Sequence, residues 1–194
     1  MKVGVLAVQG DFEAHGRMLA RVGAEPVYVR TAEQLDGLHG LIVPGGESTT
    51  MLKFLESEGL FEAIRAFAAR RSLLGTCAGA ILMASQVSRP AQRSLGLIDM
   101  AIERNAYGRQ LDSRIASVSP SPEFVERAGS GALEAVFIRA PIIRRVGPQA
   151  AVLLRHRNDP ILIEQDRHLA GTFHPELTED TRVHTLFLRK VSEQ

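Results

Sequence analysis

Residues 72–85 read SLLGTCAGAILMAS, and this stretch decides the fold class. Two leucines end an apolar run that is typical of a buried strand, and residues 80–85 have the pattern of a helix. The segment between them must turn sharply, and glycines two residues to either side of Cys77 relieve crowding at such a turn. The stretch therefore predicts a strand, a tight turn that carries Cys77, and a helix, which together form one unit of an α/β sheet.

Strand and helix patterns alternate on both sides of this unit, which predicts a mostly parallel central sheet covered on both faces. In the second half, Gly, Pro, Asn and Asp separate short β-like runs, so some antiparallel strands are expected. The last helix is expected to begin near Thr178, and residues 86–94 and 119–132 are expected to be surface loops. The expected strands are residues 3–8, 26–30, 41–43, 98–103, 135–138, 151–154, 161–164 and 169–173.

Length and composition favour a single domain over residues 1–194, because 45% of the residues are apolar and can form one core. With 23 Lys and Arg against 22 Asp and Glu, we expect neither nucleic acid nor a membrane surface as a partner. The single cysteine excludes an intrachain disulfide and a cysteine-based zinc site. The N-terminus has no signal-peptide pattern and no segment is long enough to span a membrane, so a cytoplasmic location is expected.

Cys77 is a candidate nucleophile because of its place at the turn. The positive end of the following helix favours the thiolate form of the sulfur. The backbone N–H of Ala78 is then placed to donate to an oxyanion. The alternative is a small buried cysteine in a Gly-rich turn, which is common for free cysteines.

His174 is the best candidate for the base that a thiolate nucleophile needs. It directly follows an apolar strand, and ligand sites of α/β sheets gather at the carboxyl ends of strands. Pro175 keeps His174 extended, so Glu176 points the same way and can fix the imidazole tautomer. Without Cys77, a surface residue at a strand end would be the simpler interpretation. The other histidines fit helix faces (His15 and His184) or polar turns (His39, His156 and His168).

The segment PGGESTT, residues 44–50, follows the third expected strand. Its glycines allow close approach to a ligand, so the N–H of Gly46 can face an oxyanion. Ser48 or Thr49 can cap the next helix, and the lysine of a phosphate-binding loop is missing. Arg104 and Arg139 each follow an apolar strand and could hold a carboxylate, although an isolated arginine there is more often a solvated charge.

Together these segments resemble the class I (triad) glutamine amidotransferases, and within them the glutaminase subunits of pyridoxal 5′-phosphate synthases. The Gly-x-Cys-x-Gly turn with a distant His-x-Glu is typical of the whole superfamily, whereas longer segments indicate the branch. Those segments are GVLAVQGDFEAH, LIVPGGESTTM, GTCAGAILMA, LGLIDMAIERNAYGRQLDS, VFIRAP and GTFHPELTEDTRVH. The resemblance implies a three-layer αβα, flavodoxin-like fold.

The resemblance also implies a role for each matching residue. Cys77 would be the nucleophile, with His174 and Glu176 as the rest of the triad. Gly46 and Ala78 would form the oxyanion site. L-Glutamine would be bound by Gly46, Glu47, Ser48, Arg104, Ile138 and Arg139. Gln9 and Gly10 would lie beside the oxyanion site, at the contact with a synthase subunit.

Members of this branch work with a synthase subunit, and the resemblance implies the same for this chain. The glutaminase is nearly idle alone and is activated by docking into a large complex with equal numbers of both subunits. Ammonia passes inside the complex to the synthase, which joins it to ribose 5-phosphate and glyceraldehyde 3-phosphate. No cofactor and no metal is expected in the glutaminase chain.

Two other interpretations stay open at this point. The chain could be the glutaminase of a different synthase, such as that of histidine or anthranilate synthesis, because the cysteine turn does not separate these branches. It could also be a catalytically silent binding subunit or a thiol sensor with the same fold. The second alternative predicts that a Cys77→Ala variant keeps its function.

Overall fold

The computed structural model describes residues 1–104 and 113–193. Residues 105–112, which belong to the motif LGLIDMAIERNAYGRQLDS, lie outside the described part. The described strands are β1 (Lys2–Leu6), β2 (Glu25–Val29), β3 (Gly40–Val43), β4 (Ser72–Thr76), β5 (Ala84–Ser88), β6 (Ile98–Glu103), β7 (Ser113–Val118), β8 (Leu133–Ile138), β9 (Ile142–Val146), β10 (Ala151–His156), β11 (Asp159–Gln165) and β12 (His168–Gly171). The described helices are α1 (Phe12–Arg21), α2 (Ser48–Ser57), α3 (Leu60–Ala68), α4 (Ala78–Met83), α5 (Pro122–Ala128) and α6 (Arg182–Ser192), with 3-10 turns at Ala32–Leu35 and Pro175–Leu177.

A seven-stranded sheet forms the centre of the fold, in the order β10-β11-β12-β4-β3-β1-β2. The five strands from β12 to β2 are parallel to one another, whereas β10 and β11 pair antiparallel at one edge. Among the described residues, β5-β6-β9 and β7-β8 form two smaller sheets. The predicted αβα fold with a mostly parallel sheet and some antiparallel strands is confirmed.

Strand β3 shows why the central strands read as continuous apolar runs. All four of its residues are buried. Leu41 and Val43 pack into one hydrophobic core with α2 and α3, whereas Ile42 packs into a second core with α1 and α6. Because successive side chains of a strand point to opposite faces, both faces of the sheet need apolar residues.

Several local expectations were wrong. Ala84–Ser88 is a strand that pairs with β6, although residues 80–85 were expected to be helical and residues 86–94 to be a loop. Residues 122–128 form helix α5, in which the Ser121 hydroxyl accepts a hydrogen bond from the Phe124 N–H at 3.2 Å. The last helix begins at Arg182 rather than near Thr178, and the Asp180 carboxylate accepts from the Arg182 N–H at 2.9 Å.

Among residues 1–104 and 113–193, no helix combines the length and apolar character that crossing a lipid bilayer requires.

Candidate active site

The loops that carry Gln9, Gly46, Cys77 and His174 follow β1, β3, β4 and β12, which are neighbours in the central sheet. These strands are parallel, so their carboxyl ends lie at the same edge. Ligand sites of α/β sheets form at this edge because the loops there converge. Residues 9, 46, 77 and 174 therefore come together although they are far apart in the chain.

Cys77 sits at the turn between β4 and α4 with φ +49° and ψ −104°. Positive φ is rare for a residue with a side chain and costs free energy that the surroundings must offset. The Cys77 N–H donates to the Gly171 carbonyl at 2.8 Å, and its own carbonyl accepts from the Ile81 N–H at 3.2 Å. Hydrogen bonds to β12 and α4 therefore hold the turn in place.

Gly75 and Gly79 are required by the tight packing around this turn. A Cβ atom at Gly79 would lie 1.9 Å from the Val43 carbonyl oxygen. A Cβ atom at Gly75 would lie 2.7 Å from the carbonyl carbon of Gly79. Both distances are impossible for real atoms, so the prediction that these glycines relieve crowding is confirmed.

His174 and Glu176 form a buried hydrogen-bonded pair, with His174 Nδ1 2.7 Å from Glu176 Oε1. The His174 N–H donates to the Val136 carbonyl at 2.8 Å and so fixes the backbone beside β8. Burial would lower the pKa of His174, but hydrogen bonds to Cys77 and Glu176 outweigh it and raise the pKa to about 10. Burial would raise the pKa of Glu176, yet the neighbouring His15 and His174 lower it.

Gly45 shows how closely the cysteine and the histidine approach each other. A Cβ atom at this position would lie 2.5 Å from His174 Cε1 and 3.4 Å from Cys77 Cβ. The two side chains therefore lie next to each other over Gly45, and Cys77 is among the groups that raise the pKa of His174. Cys77, His174 and Glu176 form a continuous line of side chains, which is the arrangement that a nucleophile, a base and an orienting carboxylate require.

A small cavity of about 100 Å³ opens beside the Cys77 side chain. All six residues expected to bind substrate line it: Gly46, Glu47, Ser48, Arg104, Ile138 and Arg139. The cavity offers both acidic and basic groups, which suits a ligand that carries both charges. A larger groove of about 410 Å³ lies elsewhere, between residues 32–38 and α3, and its lining contains no cysteine or histidine.

Glu47 caps helix α2, a role that the sequence pattern predicted for Ser48 or Thr49. Its carboxylate, not the hydroxyl of Ser48 or Thr49, caps α2 by accepting from the Thr49 and Thr50 N–H groups at 3.0 and 2.8 Å. Burial would raise the pKa of Glu47, but these hydrogen bonds lower it to about 2. Arg104 donates to Glu47 Oε1 at 3.2 Å and to Thr49 Oγ1 at 2.7 Å.

Gln9 and Gly10 touch the loop that follows β3. Gln9 Oε1 accepts from the Glu47 N–H at 3.1 Å. Gly10 has φ +79°, and a Cβ atom there would lie 1.9 Å from the Gly45 carbonyl oxygen. The two residues therefore lie beside the candidate oxyanion donor Gly46. Ala78, the other candidate donor, is fully buried in the first turn of α4.

Sequence reasoning missed other residues near the site. Ile81 and Pro141 also line the cavity. His15 Nε2 lies 3.3 Å from Glu176 Oε2, and His184 contacts His15. No spacing in the sequence signals these contacts, because the two histidines are 169 residues apart and meet only through helix packing.

Metal ligation is the weaker explanation for the acidic and imidazole groups here. Potential ligand atoms of Asp11, His174 and Glu176 lie within 4.8 Å of one another. However, His174 Nδ1 and Glu176 Oε1 are already hydrogen bonded to each other, and Asp11 is exposed.

Comparison with known proteins gives consistent results. The profile of the SNO glutamine amidotransferase family matches residues 5–193. The chain is 60% identical to "Pyridoxal 5′-phosphate synthase subunit PdxT" of Solibacter usitatus (strain Ellin6076), covering 98% of this chain and 99% of that protein. It is 48% identical to the protein of the same name from Thermus thermophilus, with 96% and 95% covered.

Solved structures show the same fold. A crystal structure described as a glutamine amidotransferase superposes with a TM-score of 0.89 at 44% identity and covers 98% of both chains. The structure of PurLQS from Thermotoga maritima superposes with a TM-score of 0.76 at 16% identity and 97% coverage of both chains. The second similarity concerns the fold alone.

Proposed function

The chain belongs to the SNO glutamine amidotransferase family, and from this premise we propose that it hydrolyses L-glutamine to L-glutamate and ammonia as the glutaminase subunit of a pyridoxal 5′-phosphate synthase. The observation that carries the proposal is the line of Cys77, His174 and Glu176 beside a cavity with acidic and basic walls. The curated relatives at 60% and 48% identity carry the name of this subunit.

The proposed reaction begins with the Cys77 thiolate and the His174 imidazolium, a pair that the raised pKa of His174 favours at neutral pH. The thiolate attacks the side-chain amide carbon of glutamine and forms a tetrahedral oxyanion. The N–H groups of Gly46 and Ala78 hold that oxyanion. His174 gives its proton to the amide nitrogen, the C–N bond breaks, and ammonia leaves a γ-glutamyl thioester on Cys77.

Water completes the proposed cycle. Neutral His174 takes a proton from water, and the resulting hydroxide adds to the thioester. The second tetrahedral species expels the Cys77 thiolate, and the γ-carboxyl group of glutamate loses its proton to solvent. Glu176 holds His174 in one tautomer throughout, because its Oε1 atom accepts from Nδ1.

The cavity residues bind glutamine in this proposal. Arg104 or Arg139 pairs with the substrate carboxylate, since guanidinium groups match carboxylates in geometry. Gly46, Glu47, Ser48 and Ile138 form the rest of the wall.

Activation by the synthase subunit is also part of the proposal. One oxyanion donor is worth about 10²–10³ in rate, so a partner that turns a single peptide into place can switch the activity. The contact of Gln9 and Gly10 with residues 45–47 gives a route for such a signal. We propose a large complex with equal numbers of both subunits, in which ammonia passes to the synthase without entering solvent. A cytoplasmic location stays a prediction.

Glutamate release from glutamine, with and without the cognate synthase subunit, tests the function. We expect release that rises strongly with the synthase and is absent in Cys77→Ala. A glutamine-like electrophile should label Cys77 alone, which mass spectrometry of peptides can check. Well-folded protein that releases no glutamate under either condition would refute the proposal. Copurification with a histidine-pathway or anthranilate-pathway synthase would refute the assignment of the partner.

A further inference from the structure

Two fully buried histidines lie behind the Glu176 carboxylate, and the proposed reaction does not use them. His15 is on α1 and His184 is on α6, and neither is accessible to solvent. His15 Nδ1 lies 3.0 Å from His184 Nε2. Burying two polar rings is costly unless they are hydrogen bonded, so this contact calls for an explanation.

His15 connects this pair to the active site. Its Nε2 atom lies 3.3 Å from Glu176 Oε2 and 3.1 Å from the Thr76 hydroxyl, next to Cys77 in the chain. The other carboxylate oxygen, Oε1, accepts from His174. The contact to Oε2 is electrostatic rather than a well-aligned hydrogen bond. Even so, each oxygen of Glu176 faces a different imidazole.

Charge and hydrogen-bonding capacity determine which nitrogens carry protons. Burial lowers the pKa of His15, and it lowers the pKa of His184 to about 3, so both rings are neutral near pH 7. A neutral imidazole has one N–H group. Because an ionised carboxylate only accepts, the His15 proton belongs on Nε2, where it donates to the Thr76 hydroxyl and lies beside the Glu176 carboxylate. His15 Nδ1 then accepts from the N–H at His184 Nε2.

The opposite arrangement of protons is less favourable. It would place a His15 lone pair against the Glu176 carboxylate. It would also place an N–H at His184 Nδ1, which has no hydrogen-bond partner among the described residues. An unpaired buried N–H is rarer than an unpaired buried acceptor, so the first arrangement is assigned.

We propose that His15 is a positioning residue for the glutaminase reaction, and that His184 holds it in the tautomer whose Nε2–H faces Glu176. With Oε1 hydrogen bonded to His174 and Oε2 facing the His15 N–H, the carboxylate is held in the orientation that keeps His174 aligned with Cys77. This inference rests on the proposed function, and it extends the line of side chains from three residues to five. Groups behind a catalytic or metal-binding side chain typically change activity about 10–100-fold when they are lost.

Two amide variants of similar polarity separate positioning from packing. The longer side chain in His15→Gln can place its amide N–H near the position of imidazole Nε2, whereas the shorter one in His15→Asn reaches only the position of Nδ1. We expect His15→Asn to lower kcat of the synthase-activated enzyme about 10–100-fold, with KM for glutamine within about twofold of wild type. The kcat of His15→Gln should be at least tenfold higher than that of His15→Asn. His184→Leu, which removes the donor to His15, should lower kcat by several-fold.

His168→Gln is the matched control. His168 is also buried, but its Nδ1 accepts from the Leu73 N–H at 3.2 Å, away from the cavity. We expect its kcat to stay within about twofold of wild type. Equal kcat in His15→Asn and wild type would overturn the proposal. So would equal losses in His15→Asn and His15→Gln, because packing alone would not distinguish the two amides.

Proton NMR of the isolated chain supplies a readout that does not depend on activity. The His174 Nδ1 proton, bonded to Glu176, should give a far-downfield signal in wild type and His15→Gln. The signal should shift or broaden in His15→Asn, and an unchanged signal there would overturn the proposal. Wild-type protein that shows the signal but releases no glutamate with the synthase would refute the proposed function and leave the positioning role supported.

Discussion

At the scale of single residues, Cys77 adopts a backbone conformation that costs about 1–3 kcal/mol for a residue with a side chain. The turn keeps it because two backbone hydrogen bonds fix both sides of the residue, and because Gly75 and Gly79 leave no side chain in the way. The result is a cysteine side chain that lines the cavity beside His174. The positive φ is therefore part of how the site presents its nucleophile.

The Cys77→Ala variant should change the titration of His174 as well as activity. Burial lowers the pKa of His174, and among the interactions that raise it the hydrogen bond to Cys77 is the largest. Without the sulfur, we expect the pKa to fall well below about 10. NMR titration of the His174 ring in both proteins measures this. Identical titration curves would contradict a direct contact between the two side chains.

Glu47 should stabilise the fold in a pH-dependent way. Its pKa is lowered from 4.5 to about 2, so its contribution is present above pH 4.5 and is lost as the pH falls toward 2. We expect Glu47→Gln to lower the free energy of unfolding by about 1 kcal/mol at pH 7, as for a lost helix cap. The difference from wild type should shrink below pH 4.5.

Urea unfolding at several pH values measures this difference. Glu25→Gln, at the exposed start of β2, is the control and should match wild type throughout. A difference at pH 3 as large as that at pH 7 would show that charge has no part in the cap.

At the scale of elements, the site depends on contact between two loops. The loop after β1 reaches the loop after β3 through the hydrogen bond from the Glu47 N–H to Gln9 Oε1. The same two loops also meet where Gly10 lies close to the Gly45 carbonyl. A shift of either loop must move Gly46, the candidate oxyanion donor. The two loops therefore act as one unit.

Gly10→Ala and Gly23→Ala form a matched pair for this contact. Both glycines have positive φ, +79° and +85°, so alanine is strained at both positions. A Cβ atom at Gly10 would collide with Gly45, whereas nothing lies within 4 Å of one at Gly23. We expect Gly23→Ala to lose about 1 kcal/mol of stability, and Gly10→Ala to lose more because its Cβ atom must displace the Gly45 carbonyl. Only Gly10→Ala should lose most synthase-activated glutamate release, and equal activities in the two would contradict the coupling.

The same scale explains what the sequence could and could not predict. The strand–turn–helix unit around Cys77 and the pair of His174 and Glu176 were predictable, because local residues determine them. Strand β5 was missed because its two-residue periodicity is weak and only pairing with β6 stabilises it. His15 and His184 were assigned to helix faces, and their contact arises from the packing of α1 and α6 beside the sheet, which no local pattern contains.

At the scale of the whole molecule, folding shifts the pKa values of buried histidines in opposite directions. Burial lowers the pKa of His15, lowers that of His168 to about 4 and lowers that of His184 to about 3. His174 is the exception, because its hydrogen bonds to Cys77 and Glu176 outweigh burial and raise its pKa to about 10. Unfolding would return all four to ordinary values near about 6.5. Stability should therefore fall on both sides of neutral pH, for different reasons on each side.

Below about pH 6.5 the unfolded chain binds protons that the folded chain does not bind. The free energy of unfolding must therefore decrease as the pH is lowered, by up to about 1.4 kcal/mol per pH unit for each buried neutral histidine. Between about pH 6.5 and 5 the lowered carboxyl groups do not yet titrate, so this window reports the histidines with lowered pKa: the buried His15, His168 and His184, together with the partly exposed His156. Above about pH 6.5 the folded chain keeps the His174 proton, and the stability this provides is lost as the pH rises toward 10.

Urea unfolding from pH 5 to 9 should show a maximum in the free energy of unfolding near about pH 6.5–7. His168→Gln should reduce the acid slope by at most about one third, because His156 also contributes, and Cys77→Ala should flatten the alkaline side. Constant stability from pH 7 to pH 5 would show that the buried rings accept protons without opening the fold.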